Sequence, residues 1–163
     1  MSERPKLLGS SAHVRIATWR KFVVTVVANQ ADEASLQIFR DTFEAVQSEF
    51  TDGYYALTVV DGLPRGLFGA EARASVRDIM ENYIRGVLAS AVVIEGDEHY
   101  LTALRAMINL LTRALPQQSY DVRMEARVPR AVDWLAKHGA PHTAELAGVV
   151  ASLRRGRDEA AAP

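Results

Sequence analysis

The sequence predicts an α/β fold: a mixed, mostly parallel sheet of about five strands, opened by an antiparallel hairpin and accompanied by four to five helices. Three short β-rich apolar runs, 54–60, 88–94 and 120–126, are each followed by a break and an amphipathic helical stretch. Each run is too short for an ordinary helix and is bounded by turn residues. Strand and helix in alternation imply parallel pairing, because parallel neighbours need a crossover long enough to return to the same end of the sheet. Ahead of them, runs 13–18 and 22–28 flank Trp19-Arg20-Lys21, a spacing that fits a hairpin.

Residues 1–12 lack periodicity and contain Gly9-Ser10-Ser11, so they read as a flexible N-terminus. In the hairpin, Val23, Val24, Val26 and Val27 make the second strand apolar on both faces, which suits the sheet interior. The first, with Val14 and Ile16 alternating against His13 and Arg15, suits a position nearer the edge.

Asn29 is the expected cap of a first helix running to about Phe50, with Asp32 and Glu33 in its positive first turn. Spacing at 100° per residue sets Leu36, Phe39, Phe43, Val46 and Phe50 on its inward stripe. A second helix, about 70–85, turns Val76, Ile79, Met80, Tyr83 and Ile84 inward and stops at Gly86. A third, about 98–115, has a core stripe of Leu101, Leu104, Ile108, Leu111 and Leu115. Tyr100, Ala103, Ala106, Met107, Leu110 and Ala114 widen its apolar arc to roughly 200°. One sheet cannot cover that arc, so it calls for a second cover: the C-terminal helix, another subunit or a ligand. A fourth helix opens at Pro129 with Trp134 and Leu135 inward, and a last one is capped by Thr143 and buries Leu146, Val149, Val150 and Leu153.

The 163 residues, 48% hydrophobic and 24% charged, fit one domain with one core. A net charge of −1 provides no long-range field to gather nucleic acid or an anionic membrane. The absence of cysteine removes disulfides, thiolate metal sites and thiol nucleophiles. No stretch reaches the roughly 18 to 20 apolar residues of a membrane span and the N-terminus has no signal-like run, so cytoplasmic residence is expected.

In an open parallel sheet, chemistry belongs beyond the carboxyl ends of the strands. The residues there are Asn29 and Gln30, Asp61 to Arg65, Glu95 to His99, and Arg127 to Arg130. Asp61, Glu95 and Asp97 form no Asp-x-Asp cluster, so turn formation and helix capping explain them more simply than a cation site. The loop 62–69, Gly-Leu-Pro-Arg-Gly-Leu-Phe-Gly, has neither the Walker Gly-Lys-Ser/Thr ending nor the dinucleotide Gly-x-Gly-x-x-Gly spacing. Leu67 and Phe68 either pin that loop to the domain or form an exposed recognition point. His13, His99, His138 and His142 make no helical metal pair, since Gly139 and Pro141 interrupt the last two. No Gly-x-Ser-x-Gly elbow is present. Arg154, Arg155 and Arg157 read as charges complementing a helix C-terminus rather than as bait for nucleic acid.

Three stretches carry a family resemblance: the hairpin ending in Val23-Val24-Thr25-Val26-Val27, the strand Leu57-Thr58-Val59-Val60-Asp61 closing on an aspartate, and Val128-Pro129-Arg130-Ala131-Val132-Asp133-Trp134-Leu135. Together with the element order, they make the chain resemble the STAS family, the anti-sigma-factor antagonist type of domain, and related bacterial STAS/SEC14-like domains. The likeness covers about 13–138. It implies a STAS-like α/β domain there; beyond it the residues themselves point to a C-terminal helix docking on the domain over 139–155 and a disordered tail over 156–163. The family's regulatory serine follows the aspartate in an Asp-Ser-x-Gly setting. Here Asp61 is followed by Gly62-Leu63-Pro64, and the nearest serine, Ser75, falls inside the second helix.

What the resemblance implies is a non-enzymatic regulatory or scaffolding domain that binds a protein partner or itself, as a homodimer for instance, without cofactor, metal, nucleic acid or membrane insertion. Arg65, Phe68, Arg73 and Arg77 on the 62–69 loop and second helix, with Met107 and Leu110 on the third, are the expected contact residues. One rival is a small-hydrophobe carrier with a cavity beneath the third helix. Another is an enzyme using Asp61, Glu95 and Arg127, which needs those side chains to converge on one pocket.

Overall fold

A computed structural model describes residues 4–28, 32–61, 74, 81, 85–96, 102 and 120–161. Its elements are β1 (Lys6–Ser10), β2 (Val14–Trp19), β3 (Phe22–Ala28), α1 (Glu33–Glu49), β4 (Tyr54–Asp61), β5 (Val87–Glu95) and β6 (Asp121–Glu125), then α2 (Val128–Lys137), a 3-10 turn (Thr143–Glu145) and α3 (Leu146–Ala161). The fold is α/β as predicted. The six strands lie in chain order across one sheet, with β1, β2 and β3 antiparallel and β3 to β6 parallel. Among the described residues there are three α-helices. Of the second and third predicted helices only Ala74, Glu81, Arg85 and Thr102 are described, Arg85 in a turn and the other three with helical backbone.

The N-terminus corrects the expectation of a flexible segment before residue 13. Lys6–Ser10 is a strand, which raises the count from five to six and takes over the edge, so β2 is paired on both sides. Ser11 supplies the turn that its neighbourhood conceals: its Oγ accepts from the amides of His13 and Val14, both at 3.1 Å. Gly9, which reads as a breaker, is a point of close approach. A Cβ there would come within 2.5 Å of Ile38 Cγ2 and 2.9 Å of Thr42 Cγ2 on α1.

α1 packs across this contact. Its buried residues are Ser35, Leu36, Thr42 and Val46, with Ile38, Phe39 and Phe50 partly buried against the sheet. Leu36, Phe39, Val46 and Phe50 of the predicted stripe therefore face the sheet, and Ser35, Ile38 and Thr42 widen that face toward β1. The cap is Asp32 rather than Asn29. Its carboxylate accepts from the Ser35 amide at 2.9 Å while Ser35 Oγ accepts from the Asp32 amide at 3.4 Å, a reciprocal box.

β3 buries six of its seven residues, as a doubly apolar strand in the sheet interior should. Its Val23 and Val27 join Val14, Ile16 and Ala56 under α1. Phe22, Val24 and Val26 join Leu57, Val59, Ala91 and Val93 on the opposite face. That second face is covered by Ala131 and Leu135 of α2 and by Leu146, Val149, Val150 and Leu153 of α3. Pro129 stands in the first turn of α2 as expected, and Thr143 begins a 3-10 turn instead of capping α3. The tail is a second correction: α3 continues to Ala161, and Arg157 is 9% exposed. No helix among the described residues is long and apolar enough to cross a membrane.

Candidate functional site

The parallel strands end along one edge, with Ala28, Asp61 and Glu95 in register. Alternation decides where the carboxylates point. Leu57 and Val59 face α2 and α3, so Asp61 at the same parity faces them too, and Ala91 and Val93 place Glu95 beside it. Helix α3 crosses this edge with Arg154 and Arg157 three residues apart, on one side of the helix.

The two arginines close on the two carboxylates. Arg154 Nη2 donates to Asp61 Oδ1 and, at 2.8 Å, to Glu95 Oε2. Arg157 Nη1 donates to Asp61 Oδ2 at 2.6 Å, and its Nη2 and Nε donate to Asp158 Oδ1 at 2.8 and 3.1 Å. Each oxygen of Asp61 therefore serves a different guanidinium. Burial acts to lower the pKa of both arginines, but the hydrogen bonds and charge of Asp61, with Glu95 beside Arg154 and Asp158 beside Arg157, outweigh it. Both sit above the ordinary arginine value and stay charged.

A third guanidinium lies alongside. Arg15 of β2 runs against Gly156, where a Cβ would collide with it. Its Nε and that of Arg154 are buried without a hydrogen-bond partner among the described residues. Further along the edge Glu125, buried at the end of β6, accepts from Arg123 Nε at 2.9 Å.

The two halves of α3 are held differently. Leu146, Val149, Val150 and Leu153 anchor the first half, and burial of such side chains stabilises by about 1.5–3 kcal/mol each. Beyond Leu153 the one buried residue is Arg157, so the second half rests on ion pairs, of which an exposed example contributes about 0–1 kcal/mol.

The enzyme constellation of Asp61, Glu95 and Arg127 is not assembled. Asp61 and Glu95 meet, but through Arg154, and Arg127 stands exposed at the start of α2. Arg154 and Arg157, read from sequence as dipole complements, are the residues that organise this edge. Their signal was the i, i+3 spacing together with two acids at equivalent strand ends. No group of three or more His, Asp or Glu that could hold a metal occurs among the described residues. His138 stacks on Trp134 at 3.9 Å between ring centroids and places Nε2 3.4 Å from Asp121. Arg65, Phe68, Arg73, Arg77, Met107 and Leu110 lie outside the described residues, as do Asp97 and His99.

An open groove of about 500 Å³ lies at the other end of the second face, between the N-terminal segment and α3, lined by Arg4, Pro5, Trp19, Glu145, Gly148 and Ser152 among others. Trp19 at its base is buried and carries Arg20 over its ring at 4.6 Å, while Arg20 also pairs with Glu145 at 3.2 Å. Comparison of the chain with protein-family models, curated proteins and solved structures found no match.

Proposed function

We propose that this chain is a non-enzymatic STAS-like regulatory or scaffolding domain of the cytoplasm that binds a protein partner or a second copy of itself. The observation that carries the reading is the filled strand-end edge. Where open α/β sheets usually keep their reacting groups, Asp61 and Glu95 are neutralised by Arg154 and Arg157. Among the described strands, order follows chain order without reversal, so they form no topological switch point at which a ligand crevice usually forms. Asp61 is also engaged by arginine, in keeping with a chain that lacks the family's adjacent serine.

Both outer strands carry features that discourage sheet extension. β1 is short and irregular, with Pro5 before it and Lys6 at its start, and β6 carries Asp121, Arg123 and Glu125. Association through a helical face and its loops is therefore the better mode, with Arg65, Phe68, Arg73, Arg77, Met107 and Leu110 as the proposed contacts. Native mass spectrometry of the wild type and of a Met107→Glu/Leu110→Glu variant tests this. A multimer that the variant disperses without unfolding supports the proposal. A monomer that retains small-molecule mass overturns it in favour of a carrier, and a variant that unfolds a monomer assigns both residues to the core.

A further inference from the structure

We infer that the last two turns of α3, residues 154–161, form a releasable strap over the carboxyl ends of β4 and β5, opening independently of the first half of the helix. Opposing contacts hold it in balance. Closing it are the bonds of Arg154 and Arg157 to Asp61 and of Arg154 to Glu95. Opposing it are two buried guanidinium N–H groups, Arg15 Nε and Arg154 Nε, which have no hydrogen-bond partner among the described residues and gain access to water on opening. Arg15 also brings a third positive charge beneath Gly156, next to Arg157.

Opening leaves the core intact. The apolar anchors of α3 end at Leu153, and residues 158–161 are exposed, so unwinding from Arg154 onward exposes no buried aliphatic side chain of the helix. It does uncover Asp61, whose side chain is 24% exposed with the strap closed, and it frees Glu95, which is exposed already, from its guanidinium partner. The strap thereby sets how far Asp61 is covered, and this inference stands apart from whether the domain binds a partner.

Hydrogen exchange read by mass spectrometry on the full chain tests it, comparing peptides from 146–153 and 154–161. In Asp61→Asn, which keeps the shape and removes the charge, exchange over 154–161 should rise about tenfold or more while 146–153 keeps its protection. Arg15→Met, which keeps the apolar stem and removes the unpartnered donor, should slow exchange over 154–161, the opposite of what loss of an ordinary packing contact produces. The inference is overturned if both halves of α3 lose protection together in Asp61→Asn. It is equally overturned if 154–161 already exchanges in the wild type at the rate of an unstructured chain, or if Arg15→Met leaves that rate unchanged or raises it.

Discussion

Gly9 of β1 lies directly against Ile38 of α1, so closely that a Cβ at position 9 would come within 2.5 Å of Ile38 Cγ2. The obstructing atoms are branched side chains already packed at the sheet, which cannot swing away as the end of a lysine could. Gly9→Ala should therefore destabilise the domain by about 1–3 kcal/mol, the range of overpacking. Urea unfolding checks this. An unchanged midpoint would return residues 6–10 to the status of a loose lead-in.

Asp61 and Arg157 should be coupled. Asp61→Ala leaves two guanidiniums without their principal carboxylate, a loss of about 3–5 kcal/mol for a fully buried pair. Because the Asp61 side chain is 24% exposed, roughly 1–3 kcal/mol is expected here. A double-mutant cycle with Arg157→Ala should give a coupling of at least about 0.5 kcal/mol, and additive effects would show that the two contacts act separately.

Glu49 ties α1 to the new edge strand through Lys6 Nζ at 2.9 Å. Burial acts to raise its pKa, but the Lys6 and Thr18 contacts prevail and hold the carboxyl below its ordinary 4.5. A depressed folded-state pKa stabilises above the unfolded value and ceases to do so as pH falls through the folded one. Glu49→Gln should thus be less stable than wild type at pH 7, by a few tenths of a kcal/mol because water screens the pair. The gap should narrow as pH drops below about 4.5, which chemical denaturation at pH 7 and pH 3 will measure.

Asp32 caps α1 through Ser35, whose side-chain and backbone bonds hold the carboxyl below its usual range. Asp32→Ala should lower stability by about 1 kcal/mol, with Asp32→Asn losing less because an amide oxygen still accepts. Equal losses for the two would mean that charge at the helix N-terminus, rather than the hydrogen bond, carries the effect.

Much of this architecture was legible before any coordinates. The hairpin was marked by two β-rich runs around Trp19-Arg20-Lys21, and the interior place of β3 by four valines on both of its faces. The inward stripe of α3, Leu146, Val149, Val150 and Leu153, follows directly from helical periodicity. β1 escaped because Gly9-Ser10-Ser11 has the composition of a loop, and only contact with α1 explains a glycine inside a strand. The cap shifted from Asn29 to Asp32 because both residues are competent caps and local sequence does not rank them.

By itself, the sequence determined the places of the five strands it marks from residue 13 onward, the inward stripe of α3 and the absence of nucleotide, thiol and nucleophile-elbow motifs, since all of these depend on local order along the chain. Only the tertiary structure decided what Asp61, Glu95, Arg154 and Arg157 do. They stand 93 and 96 positions apart from Asp61 to the two arginines, and 59 from Glu95 to Arg154. Their pairing depends on strand register, on the face that α3 covers and on how far that helix extends. Charges that read separately as turn acids and a basic tail become one closed edge because packing brings opposite signs into partly buried contact, where attraction is strong enough to hold them.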